Sequence, residues 1–277
     1  MPRSLSASDR SALIRLASSL PAGSTERKAI LAGLSRTASG DVNVPGKHIL
    51  DRAEVSDYAG VYGDAMVYGN AKVSGNAKVH SNAQVFDYAR VSGNAKVLDR
   101  AMVYGNAMVL DKAQVSGSAK VYDNAQVLDY ATVSGEAKVG GNAQVGGNAQ
   151  VSGNAQVSGN AKVSGNAKVS GRAGVYGDAR VSGRAEVLGD AKVYGRAQVY
   201  YRAQVLYNAE VYGNAVVSGE AVVRGEAKVF GDAQVSGEAV VFNKARIGGD
   251  AVILGGLWDG SEGEILSGEW KAPGVPA

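Results

Sequence analysis

The chain has 277 residues, of which 29 are basic and 26 are acidic, and its formal net charge at pH 7 is +3. Charges of both signs are mixed along the chain, which argues against a nucleic-acid-binding or membrane-surface protein. Cysteine is absent, so disulfides and thiolate metal sites are excluded.

Residues 1–40 predict a short helical hairpin. Serine and aspartate caps precede two apolar runs at helical spacing, with Leu13 and Leu16 in the first and Ile30 and Leu34 in the second. These side chains need a surface to cover, and the nearest is the open end of the region that follows. An end cap, a docking or targeting handle and an organelle transit peptide are the competing interpretations of the hairpin.

A strict six-residue repeat begins after a linker at residues 41–48. From Ile49 to Ile253 an aliphatic residue returns at every sixth position, 35 times in succession, and an alanine follows four residues after all but the last. Counting the aliphatic residue as the first position, glycine and asparagine recur at the third and fourth. Because both residues tolerate positive φ, these positions predict turns. The period therefore favours strands of about three residues joined by tight turns, stacked as a solenoid.

This pattern of one aliphatic residue, three variable positions, one small residue and one more resembles the hexapeptide repeats of bacterial transferases. The resemblance covers about three quarters of the chain. It implies an all-β solenoid, a left-handed parallel β-helix in which three hexapeptides form one triangular coil. Residues 49–257 would then form 11 to 12 coils and a rod of roughly 55 Å. Residues 11–24 also resemble the leaders of phage-encoded proteins.

One face of the predicted helix carries a column of aromatic residues. Residues 18 apart stack on the same face, and the second position of the face that starts at Ile49 is aromatic in eight of twelve coils. Gly140 and Ser158 interrupt this column. A contact surface for another protein or a second copy, carbohydrate stacking, and stiffening of the rod are the competing interpretations. The predicted interaction face consists of Tyr68, Phe86, Tyr104, Tyr122, Tyr176, Tyr194, Tyr212 and Phe230.

Many hexapeptide proteins are acyltransferases that use a histidine as general base beside a loop that interrupts the coils. The only histidines here are His48 and His80, and no inserted loop lies between Ile49 and Ile253. A general base needs a pocket that positions its substrate. The sequence therefore predicts no catalytic residue, no cofactor and no metal site.

The regular repeat ends in a different C-terminal tail. Residues 258–277 contain both tryptophans, Trp258 and Trp270. An end cap over the last coil and an attachment point for another protein are the two interpretations of this tail.

These observations favour a non-enzymatic structural rod that acts as a subunit, spacer or spike of a larger assembly such as a virion. The expected partners are further copies of the chain, with a trimer favoured, or other structural proteins, and neither nucleic acid nor membrane. No signal peptide is predicted, so the expected localisation is cytoplasmic or virion-associated. The alternatives are an acyltransferase-like enzyme and a carbohydrate-binding module.

Overall fold

The computed structural model describes residues 48–272 and 275–276. Over these residues the chain is a parallel β-solenoid of about 12 turns and contains no helix. The predicted N-terminal hairpin, with its proposed end-cap residues Leu13, Leu16, Ile30 and Leu34, lies outside the described residues.

Every third strand joins the same sheet, so three sheets form the three faces of the rod. The first face contains 13 strands. They are β1 (His48–Ile49), β4 (Met66–Val67), β7 (Gln84–Val85), β10 (Met102–Val103), β13 (Lys120–Val121), β16 (Lys138–Val139), β19 (Gln156–Val157), β22 (Gly174–Val175), β25 (Lys192–Val193), β28 (Glu210–Val211), β31 (Lys228–Val229), β34 (Arg246–Ile247) and β37 (Glu264–Ile265).

The second face contains 14 strands. They are β2 (Glu54–Val55), β5 (Lys72–Val73), β8 (Arg90–Val91), β11 (Met108–Val109), β14 (Gln126–Val127), β17 (Gln144–Val145), β20 (Lys162–Val163), β23 (Arg180–Val181), β26 (Gln198–Val199), β29 (Val216–Val217), β32 (Gln234–Val235), β35 (Val252–Ile253), β38 (Glu269–Ala272) and β39 (Val275–Pro276).

The third face contains 12 strands. They are β3 (Gly60–Val61), β6 (Lys78–Val79), β9 (Lys96–Val97), β12 (Gln114–Val115), β15 (Thr132–Val133), β18 (Gln150–Val151), β21 (Lys168–Val169), β24 (Glu186–Val187), β27 (Gln204–Val205), β30 (Val222–Val223), β33 (Val240–Val241) and β36 (Leu257–Trp258).

The strands are two residues long in the regular coils, which is shorter than the three predicted. The first strand residue points outward, the second is the inward valine, and the chain then turns at a corner of the triangle. Positive φ occurs at the third position, as at Gly69 (φ 73) and Asp87 (φ 59). The fourth position, where asparagine is common, has no positive φ in the regular repeats from Ile49 to Asp250. The predicted turns are present, and one left-handed residue makes each of them.

The core is a continuous stack of valine and alanine. From Ala65 to Val241 every inward valine and alanine has 0% exposure. Residues 18 apart are parallel partners, as in the pairing of Val67 with Val85. Each buried valine contributes about 1.5 kcal/mol or more through the hydrophobic effect, while coil-to-coil hydrogen bonds satisfy the backbone, as between Tyr68 N and Val85 O at 3.0 Å. The coils therefore support one another along the whole axis.

Seven aspartates fasten the corners of the N-terminal half. Each occupies the left-handed third position and accepts a hydrogen bond from the backbone N–H found 18 residues later. The bond from Gly147 N to Asp129 is 2.7 Å long, for example. These aspartates are Asp51, Asp57, Asp87, Asp99, Asp111, Asp123 and Asp129.

The last coil replaces valine with tryptophan. The spacing between inward residues changes from six to five, seven and five, through Trp258, Ile265 and Trp270. Trp258 has 0% exposure and its indole N–H donates to the carbonyl of Gly255 at 2.7 Å. The coil thus continues beyond the predicted boundary at residue 257, until β39 folds back antiparallel along β38. The role of the two tryptophans as a cap or an attachment point stays a prediction.

Candidate interaction surface

The first aromatic ladder occupies the N-terminal part of the first face. The second position follows the inward valine, so its side chain projects outward and stacks on its equivalent in the next coil. Ring centroids are 4.9 Å apart from Tyr68 to Phe86 and from Phe86 to Tyr104, and 5.5 Å apart from Tyr104 to Tyr122, with planes within 13° of parallel. Four predicted face residues are therefore brought into one stack.

The second ladder lies near the C-terminal end of the same face. Tyr194 and Tyr212 stack at 4.9 Å, and Tyr212 and Phe230 stack at 5.5 Å. The guanidinium of Arg246 lies 5.1 Å from the centre of the Phe230 ring, a cation–π distance. Three further residues of the predicted face are therefore joined.

Tyr176 is the one predicted face residue that no ring stacking joins to a ladder. Its ring lies over Gly174 of its own coil, where an added Cβ atom would come within 2.2 Å of the ring. The side chain uses the space left by this glycine instead of standing above Ser158. Sequence columns show which residues share a face, but the torsion that a ring adopts depends on the volume of its neighbours.

Both ladders end against a glycine in the next coil. Tyr122 covers Gly140 and Phe230 covers Gly248, because a Cβ atom at either glycine would lie within 2.4 Å of the ring. These two glycines are buried although they occupy outward positions. The last ring of each ladder therefore packs on the backbone of a glycine in the next coil.

The stacked rings are half-buried. Greater exposure occurs at the corners, where Tyr58 is 86% exposed and Tyr201 is 65% exposed. Sequence reasoning passed over these tyrosines, although their third or fourth position in the repeat would have placed them on turns. The first face consequently offers a flat, partly apolar surface, while the corners present isolated phenol rings.

The environment of the ladders favours neutral phenols. Burial raises the pKa of Tyr68 and Tyr104, and burial alone raises the pKa of Tyr176. For Tyr194, burial followed by the nearby Glu210 carboxylate raises the pKa to about 12. The raised pKa keeps these four phenols protonated to a higher pH than an ordinary tyrosine.

Glu210 links the second ladder to the charges beside it. Its carboxylate lies 3.2 Å from Lys228 and 3.9 Å from Lys192 on the neighbouring strands, and the Tyr194 hydroxyl donates to it at 3.5 Å. In the first ladder the Tyr68 hydroxyl donates to the Gln84 amide oxygen at 3.3 Å. Polar side chains at the sixth position therefore accept hydrogen bonds from tyrosine hydroxyls in both ladders.

His80 lies on the third face and is exposed. Its Nδ1 atom is 2.9 Å from the Ser81 hydroxyl, and its ring is 5.8 Å from that of Tyr62. The side chain of His48 lies outside the described residues.

Residues 48–272 and 275–276 hold no group of three histidine, aspartate or glutamate side chains arranged to bind a metal ion. The same part of the chain includes no helix with the length and apolar character needed to cross a bilayer.

Comparison with known proteins supports the repeat architecture. A family model described as the YdcK beta solenoid repeat matches residues 99–117 and 155–171. The chain is a β-helix repeat protein. Both matched segments lie within the regular coils. The family match therefore agrees with the parallel solenoid of the structure. The search of curated proteins gave no match.

Proposed function

We propose that this β-helix repeat protein is a non-enzymatic structural rod that serves as a subunit, spacer or spike in a larger protein assembly, a virion being one such assembly. The observation that carries the proposal is the continuity of the solenoid. Coil follows coil from β1 to β38 with a filled core and no inserted loop in that span. Twelve turns at about 4.8 Å each give a rod of roughly 58 Å.

The first face is the proposed contact surface. Sheet faces that pack on one another need flatness and apolar side chains, and the two ladders supply both on a single face. Three rods packed in parallel with their first faces inward would bury all eight aromatic side chains of each chain. A trimer of this chain is therefore the proposed assembly, and another flat structural protein is the alternative partner.

The proposal includes a common ancestry with the hexapeptide transferases but not their enzymatic activity. The general-base chemistry of those enzymes uses a histidine in a cleft, whereas His80 is an exposed side chain on a flat face. We accordingly propose a scaffold without acyl transfer.

Light scattering at several concentrations tests the proposal. We expect a trimer or larger species for the native chain. Replacing one ring of each ladder, in the double variant Tyr104→Ser/Tyr194→Ser, should shift the mass to that of a monomer because the contact face loses its apolar stacks. Circular dichroism should show that the solenoid remains folded.

The matched control is Tyr58→Ser/Tyr130→Ser, which removes two exposed corner tyrosines and leaves both ladders intact. This variant should keep the native mass. A native chain that stays monomeric at all concentrations would disprove self-assembly, and loss of assembly in both double variants would show that the ladders are not the contact surface.

A further inference from the structure

The second face carries the same group of four polar side chains twice. Lys72 begins β5 and Ser74 follows its end, and they lie directly beside Arg90, which begins β8, and Ser92, which follows it. We call these four residues the first cationic grid. Ninety residues later, and again on the second face, an identical set forms the second cationic grid. It consists of Lys162, Ser164, Arg180 and Ser182.

Each grid places two cations side by side on neighbouring parallel strands. Like charges directly opposite one another destabilise a sheet. Lys72 has an ion pair with Glu54 at 3.0 Å, but within the described residues Arg90, Lys162 and Arg180 have none. Between residues 72 and 254 the outward side chains of this face include these four cations and no acid. Three of the four cations therefore have no carboxylate partner among the described residues, and an anion would neutralise them.

The first cationic grid also forms a groove of about 470 Å³. Its lining consists of these four residues together with Met108 and Leu110 of the following coil. The serine hydroxyls form no side-chain hydrogen bond in the described part of the chain, so they remain able to bind a ligand. In the second cationic grid Tyr200 stands where Leu110 stands in the first.

The surface between the grids alternates amide and apolar side chains. Gln126 and Gln144 follow one another at the sixth position, with Leu128 and Gly146 beside them at the second. Sugar rings present both hydroxyl groups and C–H faces, so amides can bind the former while leucine contacts the latter. The grids are five coils apart, about 24 Å along the rod. A nucleic-acid strand carries a charge about every 3.4 Å, and the uncharged interval between the grids would leave most of these phosphates unpaired.

We propose that the second face binds a linear acidic polysaccharide, with one carboxylate or sulfate group at each cationic grid. Arg90 and Arg180 offer paired N–H donors to the anion, and the neighbouring lysines add charge. The serine hydroxyls and the glutamine amides bind sugar hydroxyls along the track. This binding surface is separate from the aromatic first face.

Binding of hyaluronan, an unbranched glycan with a carboxylate on every second sugar, tests the proposal by calorimetry at an ionic strength of about 0.1 M, where charges more than about 10 Å apart are screened. Dextran is the neutral comparison, and oligo-dT and polyglutamate are the other polyanions. We expect hyaluronan to bind more tightly than all three. The double variant Arg90→Gln/Arg180→Gln should weaken binding about tenfold or more, because two charge-assisted contacts are lost.

The matched control is Lys120→Gln/Lys138→Gln, which removes the same charge from a like-charged pair on the first face. It should change the affinity by less than about twofold, since screening limits distant charges. Equal weakening by both variants would overturn the proposal, as would a failure of hyaluronan to bind. Binding of oligo-dT or polyglutamate at equal or higher affinity would also overturn it. Light scattering of the same samples reports assembly separately, so glycan binding and self-association are judged independently.

Discussion

The two halves of the solenoid share one core but fasten their coils differently at the surface. In the N-terminal half seven corner aspartates accept backbone N–H groups from the next coil, the last of them at Gly147. In the C-terminal half no aspartate occupies the third position of a repeat. Among the described residues, seven of the eight ion pairs involve residues from Lys168 onward.

This difference separates two requirements that a repeat protein must meet. The core requires only that valine and alanine point inward, and it is unchanged from one half to the other. The surface must fix each coil on the next, and either a short carboxylate or a pair of long charged side chains can do so. Carboxylate bonds to the backbone involve few rotatable bonds, whereas exposed ion pairs lose side-chain entropy and are screened by salt.

The shared core gives the largest expected effect. Val109→Ala in the N-terminal half and Val217→Ala in the C-terminal half remove equivalent buried side chains of the second face. Each should lower the local free energy of opening by about 2–3 kcal/mol, because apolar contact is lost and a cavity remains. Hydrogen exchange of the flanking strands measures this loss coil by coil.

Gln126→Ala, an outward change on the same face, is the control and should alter stability by no more than about 0.5 kcal/mol. If the two core variants differed by more than about 1 kcal/mol, the claim that one core serves both halves would be wrong.

The corner bonds give an intermediate effect. Asp123→Gly removes the carboxylate that accepts the Gly141 N–H at 3.0 Å, and should cost about 1 kcal/mol locally. Asp123→Ala should cost about 1–2 kcal/mol more, because alanine must adopt the left-handed conformation (φ 57) that glycine tolerates. Hydrogen exchange at the Gly141 corner provides the measurement.

In the other half, Arg202→Gln removes an exposed ion pair of 2.8 Å with Glu220. Its effect should be smaller than that of Asp123→Gly and should vanish at about 1 M salt. A larger effect for Arg202→Gln at low salt would reverse the proposed order of the two fastenings.

The smallest effect concerns the phenols of the ladders. Because the folded pKa of Tyr194 is raised from 10.0 to about 12, the neutral ring contributes stability that is complete below pH 10. This contribution is lost as the pH rises through about 12. Tyr194→Phe should remove this loss from the second ladder, as followed by exchange or near-ultraviolet circular dichroism during alkaline titration. A Tyr194 phenol that ionises near pH 10 in the folded protein would contradict the expectation.

The six-residue period predicted a stacked solenoid and its inward residues, and the resemblance to hexapeptide repeats implied three faces and an 18-residue coil. That coil length placed the aromatics in one column and identified the stacking partners of Tyr104 and Tyr212. The bend of Tyr176 over Gly174 could not be predicted, since ring torsions respond to neighbouring volume. The six-residue period ends at Ile253, and Trp258 follows it by five residues. The burial of Trp258 in the core could therefore not be predicted from the period.

The corner bonds were missed for a different reason. Aspartate at the third position is followed 18 residues later by glycine in six of seven cases, and this was the available signal. An aspartate at the third position, considered by itself, indicates only a turn. The backbone donor above it becomes visible when the coils are stacked in register.

Because all three faces are built from the same hexapeptide, insertions and deletions of whole repeats can change which residues share a face. Loss or gain of 18 residues would shorten or lengthen it with every surface column preserved. Loss of six residues between the two ladders would leave all valines inward, yet turn the downstream part by one face. Tyr194 and its neighbours would then continue the column that now contains Leu188 on the third face. Short duplications and deletions could in this way recombine existing surfaces into new arrangements without any change in the interior.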